Sequence, residues 1–463
     1  MTPRTWAGCS STWRCTRRRS QRPRETRART GTASIPGRPP KCWAPSLRAV
    51  HASTASRLPG TPSEIMTELS IHLTNINGTG ARQLVSSLLP AMRANGTCDL
   101  QFCYLSDDEF GNRLEAVLKG AQVVKYRRRL PNALSRLFEC LAYRGDPSDT
   151  SPLLVLGDVP LRTGRRQILL LHKPGLVAIG PLPGGVQGIK LLVERQILRA
   201  NLRYTDLVIV QTAHMEARFR SLYPDYAGDV LVLPQPVPVW ASRALDPARG
   251  RQTDPSAGKL NLFYPAASYP HKNHALLGRL PDGSSDLDEI VGRLALTIDP
   301  GSKLAPGLPW VDCVGLLDHE RVIEEYLRSD ALLFLSRSES FGFPLIEAMT
   351  LGLPIVCPDL PYAREICGDQ AIYFRDDDPG SLRLAILGLS ERILGGWRPD
   401  WTDRLKVLPA NWGDMVARLL QRIEQMGSQD AEPRSQMAGP RRLWLAQDLK
   451  DRPGITQANC SED

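Results

Sequence analysis

From Leu69 onward the chain alternates between short apolar runs and longer amphipathic stretches, and few architectures satisfy that alternation. "LSIHLTNI" predicts a strand. Gly78 and Gly80 follow, then "ARQLVSSLLPAMRANG", whose apolar residues recur at helical spacing. "DLQFCYL", "PLLVLGDVPL", "RQILLLHKP" and "DLVIVQT" predict further strands, with a helix over "KLLVERQILRANLRYT". Runs such as "ILLL" and "LVIV" suit strands buried on both faces. Strands alternating with helices imply an α/β layer built on a parallel sheet. Three prolines in "LPQPVPVW" and the polar "DPARGRQTDPSAG" (Asp246–Gly258) mark a linker. A second α/β run starts at "KLNLFYPA" and continues through "IVGRLALTI", "PWVDCVG", "ERVIEEYLRS", "ALLFLS", "LPIVCP" and "QAIYF". We therefore expect a first domain over 66–245 and a second over 255–400. A helix over 405–426 is expected next, with Trp412, Met415, Leu419, Ile423 and Met426 near one face. Residues 427–463 are polar, and we expect disorder there. Two facing α/β halves put a ligand in the crevice beyond their strand ends.

The net charge of +9 on 463 residues does not describe the folded part. Residues 1–65 hold twelve Arg, Lys41 and two acids, a net of +11, so the remainder sums to 9 − 11 = −2. That argues against a nucleic-acid groove on the folded domains. The basic stretch reads as a disordered extension, a transit peptide or an over-extended gene start; the clean strand pattern just after Met66 favours the last. No run of eighteen apolar residues occurs, and the ten cysteines form no CxxC pair. Reduced thiols in a cytoplasm are expected.

"SRSESFGFPLIEAM" (Ser336–Met349) sets Glu339 and Glu347 on either side of a helix breaker. Gly342 and Pro344 prevent one helix from carrying both. Proline is tolerated at a helix start, so a helix is expected from Pro344, with Glu347 in its first turn and Glu339 on the loop before it. A helix N-terminus attracts phosphate, and carboxylates accept from sugar hydroxyls. Carboxylate, helix start and carboxylate in that order fit a nucleotide-sugar. An ordinary strand–loop–helix with a solvated glutamate has the same local pattern.

The stretch "SRSESFGFPLIEAMTLGLPIVCPDLPYAREICGDQAIYF", with "FYPAASYPHKNHALL", "DLVIVQTAHMEARF" and "NWGDMVARLL" in the same order, resembles glycosyltransferase family 4, the group 1 transferases. The likeness spans about Met66 to Gln425. It implies a GT-B fold: two Rossmann-like domains facing a cleft, with a C-terminal helix crossing back. It implies a nucleotide-sugar donor and retention of anomeric configuration. By this resemblance Glu347 holds the donor ribose, Glu339 the donor sugar, and Lys272 the diphosphate. The backbone of Phe341, Gly342 and Phe343 would approach sugar and phosphate. Gly78 and Gly80 match the glycine loop of the first domain, although a plain strand–helix turn reads the same. His172 sits where the family often has a histidine near donor sugar and acceptor; a turn histidine is the other reading. The chain departs from many relatives at Ala266, where they carry an Arg, so that place supplies no second phosphate-binding residue.

The expected activity is hexosyl transfer, mannosyl-like, to a saccharide or lipid-linked acceptor in cell-surface polysaccharide or lipopolysaccharide synthesis. The alternatives are a non-catalytic sugar-nucleotide-binding protein or a sugar-nucleotide epimerase. "KYRRRLPNALSRLF" (Lys125–Phe138) is a basic cluster that either docks on anionic lipid at the inner membrane surface or is a solvated face. Asp376 and Asp378 in "RDDDP" resemble a metal-binding D-x-D but read more simply as a helix cap. No metal or other cofactor is expected.

Overall fold

The computed structural model describes residues 66–429, apart from 77, 119, 127–131, 144, 181–183, 244–257, 281–284 and 303. The basic extension, most of the linker and the end of the chain from 430 lie outside the described residues.

The first parallel sheet contains β1 (Thr67–His72), β2 (Cys98–Ser106), β3 (Gln122–Tyr126), β4 (Leu153–Val155), β5 (Gln167–Leu170), β6 (Leu207–Val210) and β7 (Asp229–Val232), in the order β3-β2-β1-β4-β5-β6-β7. Alternate residues serve opposite faces, as the two-residue strand period requires. Ile168, Leu170 and Ile209 pack on one side of the sheet, Leu169, Leu171, Val208 and Val210 on the other. That explains the unbroken apolar runs.

The second sheet contains β8 (Leu260–Tyr264), β9 (Val291–Leu296), β10 (Val311–Cys313), β11 (Ala331–Leu333), β12 (Ile355–Pro358) and β13 (Ile372–Phe374), in the order β10-β9-β8-β11-β12-β13. Strand order reverses between β1 and β4 and again between β8 and β11. Ligands bind beyond the carboxyl ends of strands at such reversals. The loops leaving β8 and β11 carry Lys272 and Glu339.

The last helix, Trp412–Gln429, belongs to the first domain although it follows the second. Trp412, Met415, Val416, Leu419, Leu420, Ile423 and Met426 join the core built on β1 and the helix Thr79–Ala94. Glu424 accepts from Thr67, and Arg422 pairs with Asp229. The helix starts seven residues after its expected start, a separate short helix covering Thr402–Lys406, and it runs three residues beyond its expected end. Among the described residues, no helix is long and apolar enough to cross a membrane.

Around the basic run, two elements go beyond the sequence reading. β3 (Gln122–Tyr126) takes in the start of the basic run at 125–138, and the helix Asn132–Leu141 takes in its end. Lys125 pairs with Glu115 at 2.6 Å, and Arg136 turns inward to the carbonyls of Gly157 (2.9 Å) and Val159 (3.2 Å). These two cations are therefore occupied within the fold; Arg127–Arg129 lie outside the described residues.

Candidate active site

After β8 the chain turns through Pro270–Lys272 and the left-handed Asn273, φ 55°. The Tyr264 hydroxyl donates to the Lys272 carbonyl at 2.9 Å, fixing the end of that turn. Lys272 Nζ then meets Glu339 Oε1 at 2.5 Å, over the Phe334 ring. The two loops are thus tied by one ion pair.

Beyond Glu339 the backbone reaches Gly342, with φ 76° and ψ 59°. Side-chain-bearing residues seldom adopt this left-handed conformation. A Cβ here would also sit 3.2 Å from Leu345 Cδ1. Phe341 and Phe343 flank the glycine with their rings edge to face at 5.6 Å. The helix Phe343–Thr350 then starts, one residue earlier than expected, with Pro344 at its second position. Glu347 is consequently its fifth residue and lies in the second turn, not the first. It faces inward and is only 4% exposed. The Tyr326 hydroxyl donates to Oε2 at 2.8 Å, and Gln83 Nε2, from the first domain, reaches Oε1 at 3.4 Å. Burial outweighs these contacts and the charge of Lys272, and pushes the Glu347 carboxyl up to about 7.

The first domain supplies the opposite wall. Gly78 precedes the helix Thr79–Ala94 with φ 91°, whereas Gly80 lies in its first turn. A Cβ at either would meet nothing within 4 Å. His172 follows β5 and is held by Asp158, which is itself left-handed at φ 65°. The Asp158 carboxylate accepts from the backbone N–H groups of His172 (2.8 Å) and Lys173 (2.9 Å), and lies 3.3 Å from His172 Nδ1. Beneath this wall, Glu139 takes Arg136 at 3.2 Å and lies 2.9 Å from His72 Nε2. Burial raises the Glu139 carboxyl pKa, but the His72 contact, Arg136 and Thr74 prevail and hold it far below the usual range.

One cleft of about 1020 Å³ is lined by Gly78, Gly80 and His172 from the first domain, and by Lys272, Glu339, Phe341, Gly342, Phe343 and Glu347 from the second. Each of the nine residues expected to act on donor or acceptor lines it. Gln83, Tyr326, Asp158 and Arg136 were not foreseen, because each acts through a partner distant in sequence. Ala266 is a buried part of the cleft wall. Asp378 caps the helix Pro379–Leu394 by accepting from Ser381 N at 3.0 Å, and Asp376 lies 3.6 Å from Arg337. The D-x-D is therefore a cap and an ion pair.

Residues 309–389 match the family glycosyl transferases group 1. The match falls within the second domain. Its matched segment contains Glu339, Gly342 and Glu347. Over 70 residues the chain is 40% identical to the serotype-specific mannosyltransferase WbdA of Escherichia coli, 15% of this chain and 9% of that protein. Over 132 residues it is 31% identical to the O-antigen chain mannosyltransferase RfbU of Salmonella typhimurium, 27% of this chain and 37% of that protein. The matched stretches thus span well under half of either relative.

Among solved structures, the E. coli trehalose-6-phosphate protein bound with UDP-2-fluoro glucose aligns with TM-score 0.54 at 14% identity, covering 78% of this chain and 99% of that one. The sucrose-phosphate synthase of Thermosynechococcus elongatus aligns with TM-score 0.51 at 17% identity, covering 79% and 100%. At such identities the likeness shows the fold, which is GT-B.

Proposed function

We propose that the chain is a retaining glycosyltransferase that moves a hexosyl group, mannosyl-like, from a nucleotide-sugar to an acceptor in cell-surface polysaccharide or lipopolysaccharide assembly. The observation that carries this reading is the arrangement around Gly342. A paired Lys272–Glu339 and a buried Glu347 bracket a left-handed glycine at a helix start, inside an interdomain cleft. The mannosyltransferase relatives support the sugar class.

In this reading Glu347 accepts from the donor ribose hydroxyls, and the helix start with Lys272 faces the diphosphate. Lys272 offsets the charge that grows on the leaving phosphate. Glu339 orders Lys272 and accepts from a donor-sugar hydroxyl. The cleft carboxylates are Asp158, Glu194, Asp318, Glu339 and Glu347, and each is already engaged, Glu194 by Lys173 and Asp318 by the Arg321 N–H, so none stands free as a nucleophile. Transfer then follows a same-face route. The bond from the anomeric carbon to the phosphate oxygen breaks, and the acceptor oxygen bonds that carbon on the same face. The acceptor proton passes to the departing phosphate. No step requires a metal.

The first domain offers a feature that supports a lipid-linked acceptor. The helix Gly185–Asn201 presents Val186 (82% exposed), Ile189 (65% exposed), Lys190 and Val193 to the cleft. An apolar stripe beside a cation suits a hydrocarbon chain joined to a sugar through phosphate. Replacing Val186 and Ile189 by Asn should weaken transfer to a lipid-linked acceptor while sparing donor binding.

A thermal-shift screen of UDP-, GDP- and ADP-sugars tests the assignment. A true donor at large excess over its Kd should stabilise the fold by about 3 kcal/mol. Glu347→Gln should abolish that gain. Near-normal transfer by the Gln variant would overturn the reading.

A further inference from the structure

The two domains also meet behind the cleft, at the start of the helix Ala213–Leu222. The first four N–H groups of a helix lack partners within it. Here Met215 N–H is taken by the Thr212 hydroxyl at 3.2 Å and Glu216 N–H by the Thr212 carbonyl at 3.1 Å. Ala213 and His214 have no partner from their own domain among these bonds. Their N–H groups donate to the two carboxylate oxygens of Glu365, at 2.6 and 2.7 Å, across the domain boundary. A helix in the first domain is thus capped by a carboxylate of the second.

Glu365 stands on the helix Pro361–Cys367, which is tied to the loop after β11. The Tyr362 hydroxyl donates to the Ser336 carbonyl, and Arg404 Nε donates to the Ile366 carbonyl at 3.0 Å. The Thr212 hydroxyl lies 3.4 Å from the Ser340 carbonyl, one residue from Glu339 and two from Gly342. One short stretch, Thr212–His214, therefore touches both the capping helix and the loop that carries Glu339.

We infer that Glu365 is a positioning residue that sets the closed register of the two domains. Its two charge-assisted hydrogen bonds hold the first-domain wall opposite Lys272, Glu339 and Glu347. Opening the cleft breaks both bonds at once and frees the helix N-terminus. Glu365 is not among the residues that line the cleft, so it acts on the rate of transfer through geometry and leaves donor affinity to the second domain. The kinetic part of this inference rests on the reading of the cleft as a transfer site.

The test pairs Glu365→Gln with Ala213→Pro. Proline removes the Ala213 N–H, yet it is favoured at a first helical position, and Ala213 is exposed and follows an extended Thr212. Ala213→Ser keeps the N–H and serves as the control. Small-angle X-ray scattering of the ligand-free chains should show a larger radius of gyration for both variants and none for the control. Unchanged scattering in both variants overturns the latch, whatever the protein's activity.

Turnover is read with GDP-mannose and UDP-glucose, and nucleotide affinity with GDP and UDP. Each variant should lose about ten-fold in kcat with its nucleotide Kd unchanged, and the double variant should be no worse than Glu365→Gln. Additive losses, or a weakened Kd with unchanged kcat, overturn the inference. A wild-type chain that binds and turns over neither nucleotide-sugar counts against the transferase reading, and the scattering arm still decides the latch.

Discussion

Glu347 carries two opposed demands. Its carboxyl is pushed up to about 7 from an ordinary 4.5 by burial, so the ligand-free fold favours the protonated form. The unfolded chain releases that proton near 4.5, the folded chain near 7. Between those values the native state holds more protons, so stability falls as pH rises and levels off above 7. The difference of 2.5 pH units corresponds to about 3 kcal/mol. Glu347→Gln removes this cost. Urea midpoints should show the variant more stable than wild type at pH 8 and equal to it near pH 4.5; a variant less stable at pH 8 contradicts the account. Ribose hydroxyls favour the ionised carboxylate, so donor affinity should rise from pH 5.5 to 8 in wild type. Two of the cleft glycines separate along similar lines. Gly342→Ala forces a left-handed alanine against Leu345 and should cost about 1–2 kcal/mol. Gly80→Ala meets open space and should leave stability unchanged or raise it by up to about 1 kcal/mol. Lost donor binding in a stable Gly80→Ala protein would mark close approach of the ligand there.

Elements were legible where one local signal sufficed. "ILLL" and "LVIV" are buried on both faces because helices cover both sides of the sheet, and their unbroken apolarity announces it. Gly342 and Pro344 separated Glu339 from Glu347 through backbone rules alone. β3 was missed because "QVVKY" merges into a run of arginines, and its pairing with β2 is what makes it a strand. Gln83, Tyr326 and Glu365 carry no sequence mark, since their roles come from partners 264, 21 and about 150 positions away. The last helix shows the same contrast. Its apolar stripe was readable, but its burial partner was not. Leu419 is fully packed against the first-domain core. Leu419→Ala should cost about 2–5 kcal/mol, lowering the urea midpoint with little change in slope.

At the scale of the molecule, the order of the chain and the order of the cores disagree. The first sheet ends at Val232, the second occupies residues 260–374, and the chain then returns to complete the first core. The first domain therefore cannot bury its full apolar surface until the helix Trp412–Gln429 is in place. Trp412, Met415, Val416, Leu419, Leu420, Ile423 and Met426 together cover one side of the helix Thr79–Ala94 and β1. A chain ending at residue 408 should expose that groove, bind an apolar dye and lose the cooperative transition of its first domain. A synthetic peptide of residues 411–429 should restore both, because the groove it fills lies within the described core and its helix is amphipathic. The second domain keeps its own separate core, so nucleotide binding that depends on Glu347 and Lys272 should partly survive the truncation. Full loss of second-domain structure in the shortened chain, or native-like cooperativity without the peptide, would show that the returning helix is not what closes the first domain.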